Sequence, residues 1–176
     1  MFNKLNLFSK TEFKVLEFIS CKSSELYERE IAVGAKVSPA SANLILNRFS
    51  KNGLVKKVRR GRMSFYQANV DNPVLRQFKV FATIRNLEKV VKQASEFSSR
   101  IVLFGSCALG TNTDKSDVDL FVLSREKNEV KNILRNYPNI QAIVLNSVEY
   151  AALKEKDKAF FERINAGIEL YGGVNG

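Results

Sequence analysis

The sequence predicts an α+β chain of two modules joined by one long helix, and three features predict it. Charge is uneven: residues 1–80 hold 15 Lys and Arg against 6 Asp and Glu, a net +9, whereas residues 81–176 hold 13 against 12, a net +1. The basic half reads as three helices and a hairpin, and the near-neutral half as apolar runs of strand length alternating with helices. An Asn72-Pro73 break stands between them. Domains are therefore expected at 1–70 and 99–176, with a connecting helix over 71–98.

In the basic half, Lys10 to Ser20 places Phe13, Val15, Leu16, Phe18 and Ile19 at largely helical spacing. A second helix is expected from about Ser24 to Gly34. Ser38-Pro39 has the form of a helix start, with serine as N-cap and proline at the first position, where its missing N–H is no loss. Ala42, Ile45, Leu46 and Phe49 follow at i, i+3, i+4 and i+7 and form one apolar stripe. Asn52-Gly53 ends that helix. Two strand-like runs, Leu54 to Val58 and Met63 to Ala68, are joined by Arg59-Arg60-Gly61-Arg62.

This order of elements, over roughly residues 8–70, resembles the winged helix-turn-helix of bacterial and archaeal regulators. Burying the Ala42 stripe turns Ala40, Asn43, Leu44, Asn47 and Lys51 outward, and with the cap Ser38 these are the candidate DNA-binding residues of the third helix. An Asn amide pairs with N6 and N7 of adenine in the major groove, and Leu44 suits a thymine methyl. Exposed Leu44 equally suits a protein contact. Arg59, Arg60 and Arg62 at the hairpin tip suit phosphates or a minor groove. Double-stranded DNA is the expected partner of this half.

The helix from Pro73 to about Ser95 carries Val74, Phe78 and Phe81 on one stripe and Val80, Ile84, Leu87 and Val91 on a rotated one. So broad an apolar surface predicts burial on more than one side, between the modules or in the seam of a homodimer. A homodimer is the expected assembly.

The near-neutral half holds the most informative stretch. Arg100 to Phe104 is an apolar run ending in Gly105-Ser106, and ten residues later Asp117-Val118-Asp119 opens a second run that ends at Leu123. Alternation in a strand puts Asp117 and Asp119 on one face, close enough to share a divalent cation. Gly105 lets a backbone approach a phosphate without a Cβ in the way. Ser106 begins a short helix, Ser106 to Leu109, whose free N–H groups attract an anion. Carboxylates for Mg²⁺ beside an anion cradle are the minimum equipment for handling a nucleoside triphosphate. Cys107 is expected to pack under this loop. Beyond it, helices are expected at Glu126 to Asn136, Ser147 to Lys154 and Asp157 to Asn165. A strand is expected at Asn139 to Leu145, and the chain closes with Gly167 to Gly172.

The residues GSCALGTNTDKSDVD resemble the signature of the minimal nucleotidyltransferases of the DNA polymerase β superfamily. Joined to the winged helix by an Asn-Pro helix, they resemble prokaryotic fusions of the two modules, antitoxin-like nucleotidyltransferases among them. The resemblance implies a small mixed sheet with helices against it. It also implies ATP or another NTP as substrate or ligand, Mg²⁺ held by catalytic Asp117 and Asp119, and Gly105 and Ser106 gripping the triphosphate. In the resembled antitoxins the nucleotidyl acceptor is a tyrosine of a partner toxin, often a HEPN-type ribonuclease. Transfer in this superfamily generally uses a third carboxylate on the strand after the Asp-x-Asp strand. Here that strand, Asn139 to Leu145, carries no acid, and Gln141 stands at the expected position. The departure bears on the chemical step more than on binding.

Three functions are consistent with these features: a nucleotidyltransferase acting on a protein hydroxyl while repressing its own operon, a transcriptional regulator that only senses nucleotide, and a scaffold that neutralises a toxin by binding. Composition narrows the chemistry. The chain has no histidine, which excludes imidazole bases and His-ligated zinc. Two cysteines, Cys21 and Cys107, make no disulfide framework, so a reducing cytoplasm is expected. No apolar run approaches the roughly 18 residues of a membrane span, and Met1 to Lys10 lacks the apolar segment of a secretory signal.

Overall fold

The structure, a computed structural model, describes residues 8–172; the outer ends of the two expected domains, 1–7 and 173–176, lie outside the described residues. The chain divides into two compact units, Met1–Lys79 and Val80–Gly176.

The first unit is a winged helix. Its helices are α1 (Lys10–Ser20), α2 (Glu28–Gly34) and α3 (Pro39–Lys51), and its sheet runs β1-β3-β2 with β1 at Leu26–Tyr27, β2 at Val55–Arg60 and β3 at Met63–Ala68. Ser9 caps α1: its hydroxyl accepts from the Glu12 N–H, and the Glu12 carboxylate in turn accepts from the Ser9 N–H. Arg48 of α3 donates to the same carboxylate, tying α3 to α1. Ser38 caps α3 by accepting from the Ser41 N–H, and Pro39 opens the helix as its residue types dictate. Ala42, Ile45, Leu46 and Phe49 are buried, together with Leu16 and Ile19 of α1 and Ile31 of α2.

Two expectations are corrected in this unit. The second helix begins at Glu28, because Leu26 and Tyr27 are drawn into β1, antiparallel to β3 opposite Tyr66 and Phe65. That ladder overrides local helix propensity. The hairpin tip is also tighter than four residues. Strand β2 continues through Arg60, so only Gly61 and Arg62 turn the chain, with Gly61 at φ +60°. Adjacent strand residues face opposite sides, so Arg59 and Arg60 are separated onto the two faces of the wing.

Helix α4 (Pro73–Ser95) starts in the first unit and ends in the second. Asn72 caps it, its side-chain oxygen accepting from the Val74 N–H at 2.8 Å. In the first unit Leu75 and Phe78 are the buried positions, with Phe78 against Phe13, while Val74 is exposed. In the second unit Leu87, Val90 and Ala94 enter a core. The broad apolar surface of α4 is thus largely taken up by this chain's own two cores.

The second unit is a four-stranded mixed sheet of order β6-β5-β4-β7, with β4 at Arg100–Phe104, β5 at Val118–Leu123, β6 at Ile140–Leu145 and β7 at Ile168–Gly172. Strand β4 is antiparallel to β5 and β7, and β5 is parallel to β6. Alternation divides the sheet into two buried faces. Ile101, Leu103, Leu120, Val122 and Val144 pack with α4, with Cys107 of α5 (Gly105–Leu109) and with Val130 and Leu134 of α6 (Lys127–Leu134). Val102, Phe104 and Phe121 face the other way, toward Tyr150 and Leu153 of α7 (Ser147–Lys156) and Phe160 and Ile164 of α8 (Lys158–Asn165). No helix among the described residues is long and apolar enough to cross a membrane.

Candidate functional site

On the winged helix, Ala40, Asn43, Leu44 and Lys51 are exposed and Asn47 is half-buried. The two asparagines are not free amides. Lys57 Nζ of β2 donates to Asn47 Oδ1 at 2.7 Å, Asn47 Nδ2 donates to Asn43 Oδ1 at 3.0 Å, and Asn43 Nδ2 donates to Glu28 Oε2 at 2.8 Å. An ammonium only donates and an ionised carboxylate only accepts, so both ends fix the orientation of each amide. Tyr27, Glu28, Asn43, Lys57, Arg59, Arg62 and Ser64 line one cleft. Arg60 lies off it, paired with Glu25 at 2.7 Å and stacked over Phe65 at 5.0 Å. The structure therefore gathers Asn43, Asn47, Arg59 and Arg62 on one side and leaves Arg60 on the other. Glu25, Glu28 and Lys57 were not anticipated from the sequence, because the pairing of α3 with α2 and the wing is nonlocal.

In the second unit, Gly105 has φ +69°, and a Cβ placed there would lie 2.2 Å from Asp119 Oδ2. Any larger residue here would be strained in backbone conformation and would displace the Asp119 carboxylate. Asp119 pairs with Phe104 across the antiparallel ladder and with Gln141 across the parallel one. Asp117 stands one residue before β5, is exposed, and accepts a hydrogen bond from Gln141 Nε2 at 2.6 Å. Gln141 is thus bonded to Asp117 and is the strand partner of Asp119. An ionised Asp117 has no proton to give, so it is the amide nitrogen of Gln141 that faces it. Ser106 is half-buried; its carbonyl accepts from the Thr111 N–H, and its hydroxyl bonds to no described residue. Cys107 is buried beneath the loop and its thiol reaches the Asp117 carbonyl at 3.6 Å.

Burial pushes the Asp119 carboxyl above its ordinary value of 3.8, the positive charge of Arg163 opposes the rise, and the negative charge of Asp117 adds to it. Arg163 belongs to α8, and its guanidinium lies 5.8 Å from the Phe104 ring and 5.0 Å from the Phe160 ring. Nothing in the sequence links residue 163 to residue 119; packing of α8 on β4 does. Among the described residues, no cluster of three or more His, Cys, Asp and Glu forms.

The Gly105 turn lies against Asp119 at the end of the four-stranded mixed sheet. Residues 84–170 match the family model described as a nucleotidyltransferase domain. The matched segment includes Gly105, Ser106, Asp117, Asp119 and Gln141, with Gly105 against Asp119 and Gln141 bonded to Asp117. No curated protein matches the whole-chain sequence. Among solved structures the chain is similar to AF1382 from Archaeoglobus fulgidus, at 19% identity and TM-score 0.40, over 45% of this chain and 91% of that one. It is similar to Sso10a-2, a DNA-binding protein from Sulfolobus solfataricus, at 19% identity and TM-score 0.39, over 51% and 95%. A third likeness is to ZitR, a zinc-responsive MarR family member from Lactococcus lactis, at 15% identity and TM-score 0.41, over 56% and 69%. These are partial likenesses and none bears on what this chain binds.

Proposed function

We propose that this protein is a cytoplasmic DNA-binding regulator whose nucleotidyltransferase domain takes Mg²⁺ and ATP, or another NTP, as a ligand and transfers the nucleotidyl group slowly at most. The observation that carries this reading is the 2.6 Å bond from Gln141 Nε2 to Asp117 Oδ2. Asp117 and Asp119 fit one divalent cation, and Gly105, having no Cβ, lets the Asp119 carboxylate lie against its backbone. The bound cation would neutralise phosphate charge. Gln141 does not fit a second cation: its amide is neutral, and its N–H donor already occupies one oxygen of Asp117. Nor can an amide accept the proton of an attacking hydroxyl. Base assistance of that kind is typically worth about 10²–10⁴-fold in rate. On the winged helix, the cleft with Arg59, Arg62 and Lys57 beside Asn43 supports duplex DNA as the partner.

A second reading is supported by the retention of both carboxylates beside Gly105: an antitoxin-like transferase that modifies a hydroxyl of a partner protein, such as a HEPN-type toxin, and represses its own operon. The homodimer expected from α4 draws no support from that helix, whose apolar positions are largely buried within the chain.

Label transfer from α-labelled ATP, with ATP affinity measured in parallel, separates the two readings. Wild type is expected to bind ATP only with Mg²⁺ and to lose it in Asp117→Asn with Asp119→Asn. Gln141→Asp is expected to raise transfer while leaving affinity within a few-fold. Fast transfer by wild type, slowed by Gln141→Asp, would establish the transferase reading instead.

A further inference from the structure

We propose that Arg163 is a triphosphate-binding residue, taking the distal phosphates on the β4 side of the Asp117–Asp119 pair; this rests on the nucleotide reading above. Three observations carry it. First, the guanidinium is positioned but chemically unspent. It is held over the rings of Phe104 and Phe160, at 5.8 and 5.0 Å, and makes no hydrogen bond or ion pair with any described residue. Arg100 in the same domain differs, its guanidinium donating to Glu169, Tyr150 and Asn165. An arginine stacked on aromatic faces keeps its planar fork of N–H donors available for phosphate oxygens.

Second, its location is that of the cradle. Phe104, beneath the guanidinium, immediately precedes Gly105 and Ser106 and is the strand partner of Asp119. Arg163 and Asp119 are close enough for the charge of one to act on the other, yet they form no ion pair. Asp119 therefore does not consume the guanidinium. Third, the two flanks of the carboxylate pair are unlike. Gln141 on β6 closes one side with a neutral amide, and Arg163 of α8, packed on β4, brings positive charge to the other. A triphosphate laid from the Gly105 turn toward Asp119 meets its cationic contact on the Arg163 side.

The test is equilibrium binding of ATP, AMP and inorganic tripolyphosphate in Mg²⁺ by wild type, Arg163→Gln and Arg163→Lys, with thermal melting of each. Arg163→Gln is expected to weaken ATP and tripolyphosphate by about 10- to 100-fold while leaving AMP unchanged, as befits loss of charge-assisted bonds to the distal phosphates. Arg163→Lys keeps the charge without the fork and is expected to fall between. Should Arg163→Gln melt early, the split between ATP and AMP in Arg163→Lys decides. Equal weakening of ATP and AMP, or unchanged ATP affinity in both variants, would overturn the assignment and leave Arg163 a packing residue. Failure of wild type to bind ATP would instead overturn the nucleotide reading, and this inference with it.

Discussion

Replacing Gly105 by alanine separates the proposed nucleotide site from the stability of the fold. The new Cβ would stand 2.2 Å from Asp119 Oδ2 and 3.1 Å from its Cγ, far inside contact distance. The obstructing group is the end of a side chain, so the carboxylate can rotate away and the sheet need not open. What remains is the backbone cost of a non-glycine residue at φ +69°, about 1–2 kcal/mol. Gly61→Ala provides the comparison, because Gly61 has φ +60° with nothing within 4 Å of its added Cβ. Both variants are expected to lose stability on that scale by denaturant unfolding. Only Gly105→Ala is expected to lose affinity for ATP in Mg²⁺, by about 10- to 100-fold, the usual cost of disturbing the placement of a metal ligand. Calorimetric titration of ATP with Mg²⁺ and with EDTA reads this directly. Wild-type affinity in Gly105→Ala would refute the reasoning, since Asp119 would then tolerate displacement.

The wing offers a second contrast. Arg59→Ala is expected to weaken all duplexes alike and reduce the log–log salt slope by about one, measured by fluorescence anisotropy across salt concentrations. Arg60→Ala is expected to change it less, because Glu25 already neutralises Arg60. A third prediction concerns acid. Glu12 is held below its ordinary value of 4.5, first by the Ser9 N–H and also by Arg48. Its contribution to stability is therefore present above pH 4.5 and lost as pH falls through the lowered folded-state value. Glu12→Gln should destabilise the winged helix at neutral pH and flatten its loss of stability in acid, as read by urea unfolding at several pH values.

Elements whose signals are local were legible in the sequence. Helix α1 and helix α3 with its Ser38 cap and Pro39 start lie where periodicity and capping chemistry place them. So do α4, β4 and the short helix after Gly105, within a residue. The misreadings share a cause. Leu26 and Tyr27 have no strong local preference, and the partner that draws them out of a helix, β3, lies about 40 residues away in sequence. Arg59 and Arg60 look equivalent in a basic run, but the ladder extends far enough to put them on opposite faces. Val74 seemed the apolar start of α4, whereas Leu75 faces the core.

For the candidate site, the sequence by itself determined the participants that share a motif: Gly105 and Ser106 before a ten-residue gap, Asp117 and Asp119 after it, and the lack of an acid at position 141. Spacing along a strand is short-range geometry, and it carries that much. Only the tertiary structure decided that Gln141 bonds to Asp117, that Gly105 lies against Asp119, and that Arg163 stands over Phe104 without a polar partner among the described residues. It also decided that Asn43 and Asn47 are joined to Glu28 and Lys57 rather than free on an outward ridge. These contacts are made by elements brought together through sheet register and helix packing, and no local pattern of residue types encodes which charge will meet which.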